Sequence, residues 1–106
     1  MLAQCVALHN HGVTTGDFEP MLRLFAPDAE IRFRTLDIGP FQGIDAIRSA
    51  FSDNPPDDTL TMLGPLRDTT DGAIADYAWG TVPERIAGTL RCRGGASGLI
   101  QSLEIS

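Results

Sequence analysis

The spacing of the apolar residues changes along this chain of 106 residues, and that change limits the fold more than any other feature. Apolar positions recur at helical intervals over residues 2–13 and 44–53, whereas they alternate over residues 29–36 and over most of the chain after residue 59. Helices that precede an antiparallel run of strands are typical of an α+β domain in which the sheet curls around the helices. The pattern predicts a single domain over residues 1–106 whose elements follow the order ααβαββββ.

Turn residues set the ends of these elements. Asp17 is a good N-cap for the second helix, because its carboxylate can accept a hydrogen bond from a backbone N–H group of the first turn. The apolar side of that helix is predicted to consist of Met21, Leu22, Leu24 and Phe25. The later strands are predicted over residues 59–66, 73–82, 86–93 and 99–105, with a flexible turn over residues 94–98.

The charge balance argues against several classes of partner. Fourteen acidic residues stand against eight arginines, the chain has no lysine, and its formal net charge is −6. Nucleic acids and anionic membrane surfaces both attract basic faces, so we expect neither partner. The first twelve residues contain no basic segment, and no apolar run is long enough to span a membrane, which favours a cytoplasmic protein.

The two cysteines, Cys5 and Cys92, are too few for a disulfide framework. A single bridge between them stays open as an alternative, although thiols are reduced by default in the cytoplasm. The sequence has no pair or cluster of cysteines and histidines with the spacing of a metal site. We therefore expect neither a bound metal nor an organic cofactor.

Three segments of the chain carry a further pattern. The first joins GDF at residues 16–18 to LFAPDA at residues 24–29, the second is GPFQGIDAIR at 39–48, and the third is GLIQSLE at 98–104. In this order they resemble the SnoaL-like domains of the nuclear transport factor 2-like superfamily, which includes ketosteroid isomerase. The resemblance implies a cone-shaped, curved antiparallel sheet wrapped around the N-terminal helices, an apolar pocket open at one end, and a homodimer.

The same resemblance argues against the isomerase mechanism of that superfamily. Ketosteroid isomerase, which serves as a standard example of pKa tuning, uses an Asp base together with a Tyr and a protonated Asp. Alignment on the shared segments puts His9 at the position of the Tyr, Phe33 at that of the base, and the region of Gly88 at that of the second Asp. Both carboxylates are absent from these positions, and a Phe cannot take a proton.

Alternation on the long strand, together with the alignment, points Ala75, Tyr77, Trp79 and Thr81 into the pocket and Asp76 away from it. The resemblance implies further walls, and the residues expected to contact a substrate are Phe25, Phe33, Phe51, Met62, Trp79, Thr81, Leu90 and Leu103. Ile31, Cys92 and Ile105 are expected to face the same interior. Such a pocket suits a small hydrophobic molecule held by one or two hydrogen bonds.

His9 and Tyr77 are the expected catalytic residues. His9 would exchange a proton and Tyr77 would polarise a ligand oxygen, in an isomerase, cyclase or dehydratase without cofactor. Each has a purely structural alternative, in which His9 is a core histidine bonded to a neighbour and Tyr77 braces the sheet.

His11 is expected at the surface, and Asp37, or Asp76 after a register slip, is the candidate for a missing carboxylate. A non-catalytic ligand-binding or dimerisation module and a closed structural domain stay open as alternatives.

Overall fold

The computed structural model describes residues 1–95 and 97–106, and these residues form an α+β fold. The elements, in chain order, are α1 (Leu2–Thr15), α2 (Glu19–Leu22), β1 (Phe25–Phe33), β2 (Phe41–Gln42), α3 (Ile44–Asp53), β3 (Leu60–Asp68), β4 (Gly72–Trp79), β5 (Gly88–Gly94) and β6 (Ile100–Ile105). Within the described residues, no helix is both long enough and apolar enough to cross a membrane. Ala96, which belongs to the turn predicted over residues 94–98, lies outside the described residues.

All of these strands form one curved, open sheet in the order β2-β1-β6-β5-β4-β3. The segment from β3 to β6 is an antiparallel meander, whereas β1 pairs in parallel with β6 and antiparallel with β2. The predicted α+β class, with helices ahead of a curved sheet, is confirmed. β3 is an edge strand, so one side of its backbone is free to bond with groups outside the sheet.

The helices cover one face of this sheet through apolar residues at helical spacing. Leu2, Cys5 and Val6 of α1 are buried, and Ile47 of α3 has no exposed surface. Gly16 ends α1 with a φ of 82° and donates its N–H to the carbonyl oxygen of Gly12, a left-handed conformation that glycine adopts without strain. The core therefore lies between the helices and the sheet.

The second helix is shorter than predicted. It ends at Leu22, so Leu24 and Phe25 leave it, and Phe25 begins β1 opposite Ile100. The carbonyl oxygen of Leu24 accepts a hydrogen bond from the N–H of Ile100. Leu24 is therefore bonded to the last strand instead of continuing the helix. The N-cap of this four-residue helix is Phe18 rather than the predicted Asp17, and it makes no side-chain capping bond. Asp17, one residue earlier, accepts a hydrogen bond from the N–H of Glu19 at 3.1 Å.

The strand ends also differ from the prediction. β4 ends at Trp79 rather than residue 82, because Gly80 donates its N–H to Thr59 and Val82 donates to Trp79 in a turn. Thr81 is therefore outside the strand. The two-residue strand β2 was not predicted, and it adds one strand to the expected element order.

Candidate functional site

A cavity of about 520 Å³ lies between the three helices and the sheet. Every element contributes to its wall, which is mostly aliphatic and aromatic. The lining residues are Leu2, Cys5, Val6, His9, Met21, Ile31, Phe33, Ile38, Phe41, Ala46, Ile47, Ser49, Ala50, Phe51, Asp53, Asn54, Pro56, Leu60, Tyr77, Trp79, Leu90, Leu103 and Ile105.

The exposed members of this wall mark the end at which the cavity reaches the surface. Ile38 is 51% exposed and Trp79 is 42% exposed, and Asp53 and Asn54 at the end of α3 are also exposed. Leu2, Leu90 and other lining residues are buried. Ligand access is therefore expected between the C-terminal end of α3 and the end of β4.

His9 lies on α1, and its imidazole lines the cavity. The Nδ1 atom is 3.1 Å from Oδ1 of Asn10, and the edge of the ring meets the ring of Phe18 at a centroid distance of 6.2 Å. Burial lowers the pKa of His9 below its ordinary value of 6.5, and the hydrogen bond to Asn10 opposes this shift only in part. The imidazole is therefore neutral at pH 7 and able to accept a proton.

Asn10 was not anticipated from the sequence, although it follows His9 directly. Its side chain bonds to both backbone groups of Leu60 on the free edge of β3. The N–H of Leu60 donates to Oδ1 at 2.8 Å, and Nδ2 donates to the carbonyl oxygen of Leu60 at 2.8 Å. The amide thus takes the place of a neighbouring strand and ties α1 to the edge of the sheet.

Tyr77 is buried near the C-terminal end of β4 and also lines the cavity. Its ring stacks edge-on against Trp79, with a centroid distance of 5.6 Å. Burial raises the pKa of Tyr77 above its ordinary value of 10, so the phenol is protonated and can donate a hydrogen bond.

Among the lining residues that are not exposed, two side chains carry a nitrogen or oxygen atom without a protein partner. Among the described residues, neither His9 Nε2 nor the Tyr77 hydroxyl forms a hydrogen bond. The one fully buried side-chain nitrogen or oxygen without a partner in these residues is Nε of Arg91. The two atoms are therefore reached by solvent or by the cavity rather than closed off by protein. Both are free to bond to a ligand.

The structure brings together most of the predicted wall. Phe33, Phe51, Trp79, Leu90 and Leu103 line the cavity, as do Ile31 and Ile105.

Phe25, Met62 and Thr81 do not line it. Phe25 is buried in the core at the far end of β1, beyond a register shift in its pairing with β6. Met62 packs against the core without reaching the cavity. Thr81 is exposed in the turn after β4, where its hydroxyl donates to Asp58 Oδ2 at 2.7 Å.

Neither candidate for a missing carboxylate reaches the cavity, and Asp76 points away from it, as the alternation of β4 predicts. Asp37 is exposed and does not line the cavity. Asp76 also lies outside it: the Thr89 hydroxyl donates to its Oδ1 at 3.2 Å, and Arg67 forms an ion pair with the same oxygen at 3.9 Å. The carboxylate at the cavity is that of Asp53, which shares one face of α3 with Ala46 and Ala50 through its three- and four-residue spacing.

The described residues form neither a disulfide nor a cluster of metal ligands. Cys5 and Cys92 are buried and free of any disulfide, and burial raises the pKa of the Cys5 thiol to about 12. Across residues 1–95 and 97–106, no three His, Cys, Asp or Glu side chains come close enough together to hold a metal ion.

Comparison with known proteins gives one family and many similar folds. The SnoaL-like domain model matches residues 2–95, whereas no curated protein sequence matches the chain. A Mycobacterium tuberculosis protein, Rv0760c, solved with estradiol-17beta-hemisuccinate, aligns with a TM-score of 0.70 at 16% identity over 95% of this chain and 88% of that chain.

Two other structures are similar to the same degree. SalBIII, described as an epoxide hydrolase/cyclase-like enzyme of pyran ring formation in salinomycin, has a TM-score of 0.69 at 21% identity, covering 97% of this chain and 87% of that one. A computationally designed 17-OHP binder has a TM-score of 0.68 at 17% identity, covering 96% and 86%. At these identities the likeness shows the fold alone. The family match, which spans most of the chain, shows that it belongs to the SnoaL-like domain family, as the sequence resemblance predicts.

Proposed function

We propose that this protein binds a small, largely apolar molecule in the cavity and acts on it by acid/base chemistry without metal or organic cofactor. The observation that carries the proposal is the pair of unpartnered polar atoms, His9 Nε2 and the Tyr77 hydroxyl, in a wall that is otherwise mainly apolar. Neither atom is committed to a protein partner, and each hydrogen bond that a ligand makes to them adds to its affinity. A ligand that bonds to both atoms is therefore favoured over one that bonds to neither.

The two groups have complementary protonation states. Burial keeps His9 neutral, so it can remove a proton, and keeps Tyr77 protonated, so it can donate to an oxygen. Removal of a proton beside a carbonyl, with the carbonyl oxygen held by a donor, is a step shared by isomerases, cyclases and dehydratases. Phe33, Phe51, Trp79, Leu90 and Leu103 would contact the substrate and exclude water from it.

The relatives support the ligand class. One of the similar structures was solved with estradiol-17beta-hemisuccinate, and another was designed to bind 17-OHP. The fold therefore accommodates small, largely apolar molecules of the kind proposed here. The base would differ from that of ketosteroid isomerase, because alignment with that family puts Phe33 at the position of its carboxylate. His9 on α1 would remove the proton from the ligand instead.

A change in cavity volume tests the ligand site directly. Ala50 lines the cavity from α3, whereas Ser52 on the same helix is exposed and does not line it. Ala50→Trp is expected to weaken binding of the apolar ketone 2-tetralone by about tenfold or more, since the indole fills space that the ligand needs. The measurement is an NMR titration that follows the side chains of Trp79 and His9.

Ser52→Trp is the matched control for this experiment, because it adds the same side chain to the same helix outside the cavity. It is expected to bind 2-tetralone as the unmodified protein does. Equal affinities for the two variants would place the ligand elsewhere. Binding without any proton exchange would favour the non-catalytic ligand-binding module.

The family resemblance also supports a homodimer, with Arg32 and Arg34 on the outer face of the sheet as candidate contacts. Arg32 pairs with Glu30 at 2.9 Å and Arg34 with Glu104 at 3.4 Å, so this face alternates in charge. Sedimentation at micromolar concentration is expected to give twice the 11.4 kDa mass of the chain. Arg32→Glu is expected to weaken the dimer and Arg85→Glu, in an exposed loop, to leave it intact. A monomeric mass for the unmodified chain would contradict the dimer.

A further inference from the structure

We infer that Asn10 is a positioning residue that holds His9 in one tautomer, with the proton on Nδ1, so that the cavity selects a molecule bearing its own donor or acidic hydrogen. The tautomer follows from the protein alone. The ligand selectivity rests on the proposed function, since it requires a molecule in the cavity.

The orientation of the Asn10 amide is fixed by the backbone of β3. Leu60 presents one donor and one acceptor to it, so Oδ1 must face the N–H and Nδ2 must face the carbonyl oxygen. Rotating the amide by 180° would set donor against donor and acceptor against acceptor. Both bonds measure 2.8 Å, so the two together settle the assignment of oxygen and nitrogen in this side chain.

This orientation determines the proton on His9. Oδ1 of Asn10 is an acceptor only, with a second lone pair available beyond the bond to Leu60, and it lies 3.1 Å from Nδ1 of His9. Nδ1 must therefore carry a hydrogen. Since burial keeps the imidazole neutral, Nε2 carries none and accepts hydrogen bonds without donating them.

The ligand must match this pair of atoms. His9 Nε2 can only accept, so the group opposite it must be an O–H, an N–H or an acidic C–H. The Tyr77 hydroxyl then donates to an oxygen on the same molecule. Among the residues that the structure describes, no Arg or Lys lines the cavity, and Asp53 adds a negative charge near its mouth. The favoured class is a neutral apolar molecule such as a phenol, an enol or a carbon acid.

The tautomer is measured on the ligand-free protein by two-bond ¹H–¹⁵N correlation of the histidine rings, at a pH where both are neutral. His9 is expected to show a protonated Nδ1 and an unprotonated Nε2. His11, one position beyond Asn10 and exposed, is the control in the same spectrum and is expected to show the mixture of an unconstrained ring. An Nε2–H tautomer at His9 overturns the inference.

Two variants test the part played by Asn10. Asn10→Asp keeps an oxygen acceptor beside Nδ1 and is expected to retain the Nδ1–H tautomer. Asn10→Leu removes it and is expected to release His9 to the mixture seen for His11. A retained tautomer in a folded Asn10→Leu variant overturns the role of Asn10. If that variant does not fold, the tautomer of the unmodified chain still decides whether His9 is held with its proton on Nδ1.

The selectivity is tested with 2-naphthol and its methyl ether, which differ by one donor. 2-Naphthol is expected to bind about tenfold or more tightly, since the ether leaves Nε2 without a partner. Equal or tighter binding of the ether overturns the selectivity. Failure of both probes to bind counts against the proposed ligand site, whereas the tautomer, which is read without ligand, is unaffected by that failure.

Discussion

Replacing His9 with Gln is expected to slow the exchange of the α-protons of 2-tetralone with D₂O by about 10²- to 10⁴-fold, the usual contribution of a general base. Gln is similar in length and polar, but its amide takes up no proton near pH 7. The exchange is followed by the loss of the α-proton signals in ¹H NMR. Affinity for 2-tetralone is expected to stay within a few-fold, because the apolar wall is unchanged.

The pH dependence of the same rate has a defined sign. Burial lowers the pKa of His9, so the neutral, basic form persists below pH 6.5 and the rate is expected to fall only under that value. His11→Gln, which alters an exposed histidine two residues away, is the matched control and should leave both rate and profile unchanged. Full activity in the His9→Gln variant, or an acidic limb above pH 6.5, would contradict the assignment of His9 as the base.

The parts of the fold predicted well are those with a repeated local pattern. The apolar spacing in α1 and α3 and the alternation in β4 are local properties, so they gave the class and the position of Tyr77 and Trp79. The end of α2 was predicted wrongly, because Leu24 and Phe25 are apolar and read equally well in a helix or a strand. Their place is decided by pairing with Ile100, about 75 residues later in the chain.

The site shows the same limit. Thr81 follows the alternation of β4 but lies outside it, because the turn at Gly80 is fixed by a bond to Thr59 that no local pattern reveals. Asn10 was missed because its partner, Leu60, is fifty residues away. Asp53 was not predicted to line the cavity either, although its spacing from Ala46 and Ala50 puts it on their face of α3 and is a local signal.

Replacing Tyr77 with Phe is expected to slow the exchange of 2-tetralone by about 10²- to 10³-fold, the loss typical of one donor to a developing oxyanion. The hydroxyl has no partner among the described residues, so its removal breaks no bond within the protein and the fold should be retained. The ring contact with Trp79 is preserved by Phe, and the fluorescence of Trp79 reports whether the site is intact.

The control for this variant is a change of ligand rather than of residue. Tetralin has the rings of 2-tetralone without the carbonyl, so it is expected to bind Tyr77→Phe and the unmodified protein alike. In the double variant with His9→Gln, the loss is expected to be smaller than the product of the single losses, because the two groups act on one transition state. If Tyr77→Phe exchanges the ketone at the full rate, the hydroxyl does not polarise the carbonyl. Its absence of a protein partner would then need another explanation, such as a ligand that is bound but not converted.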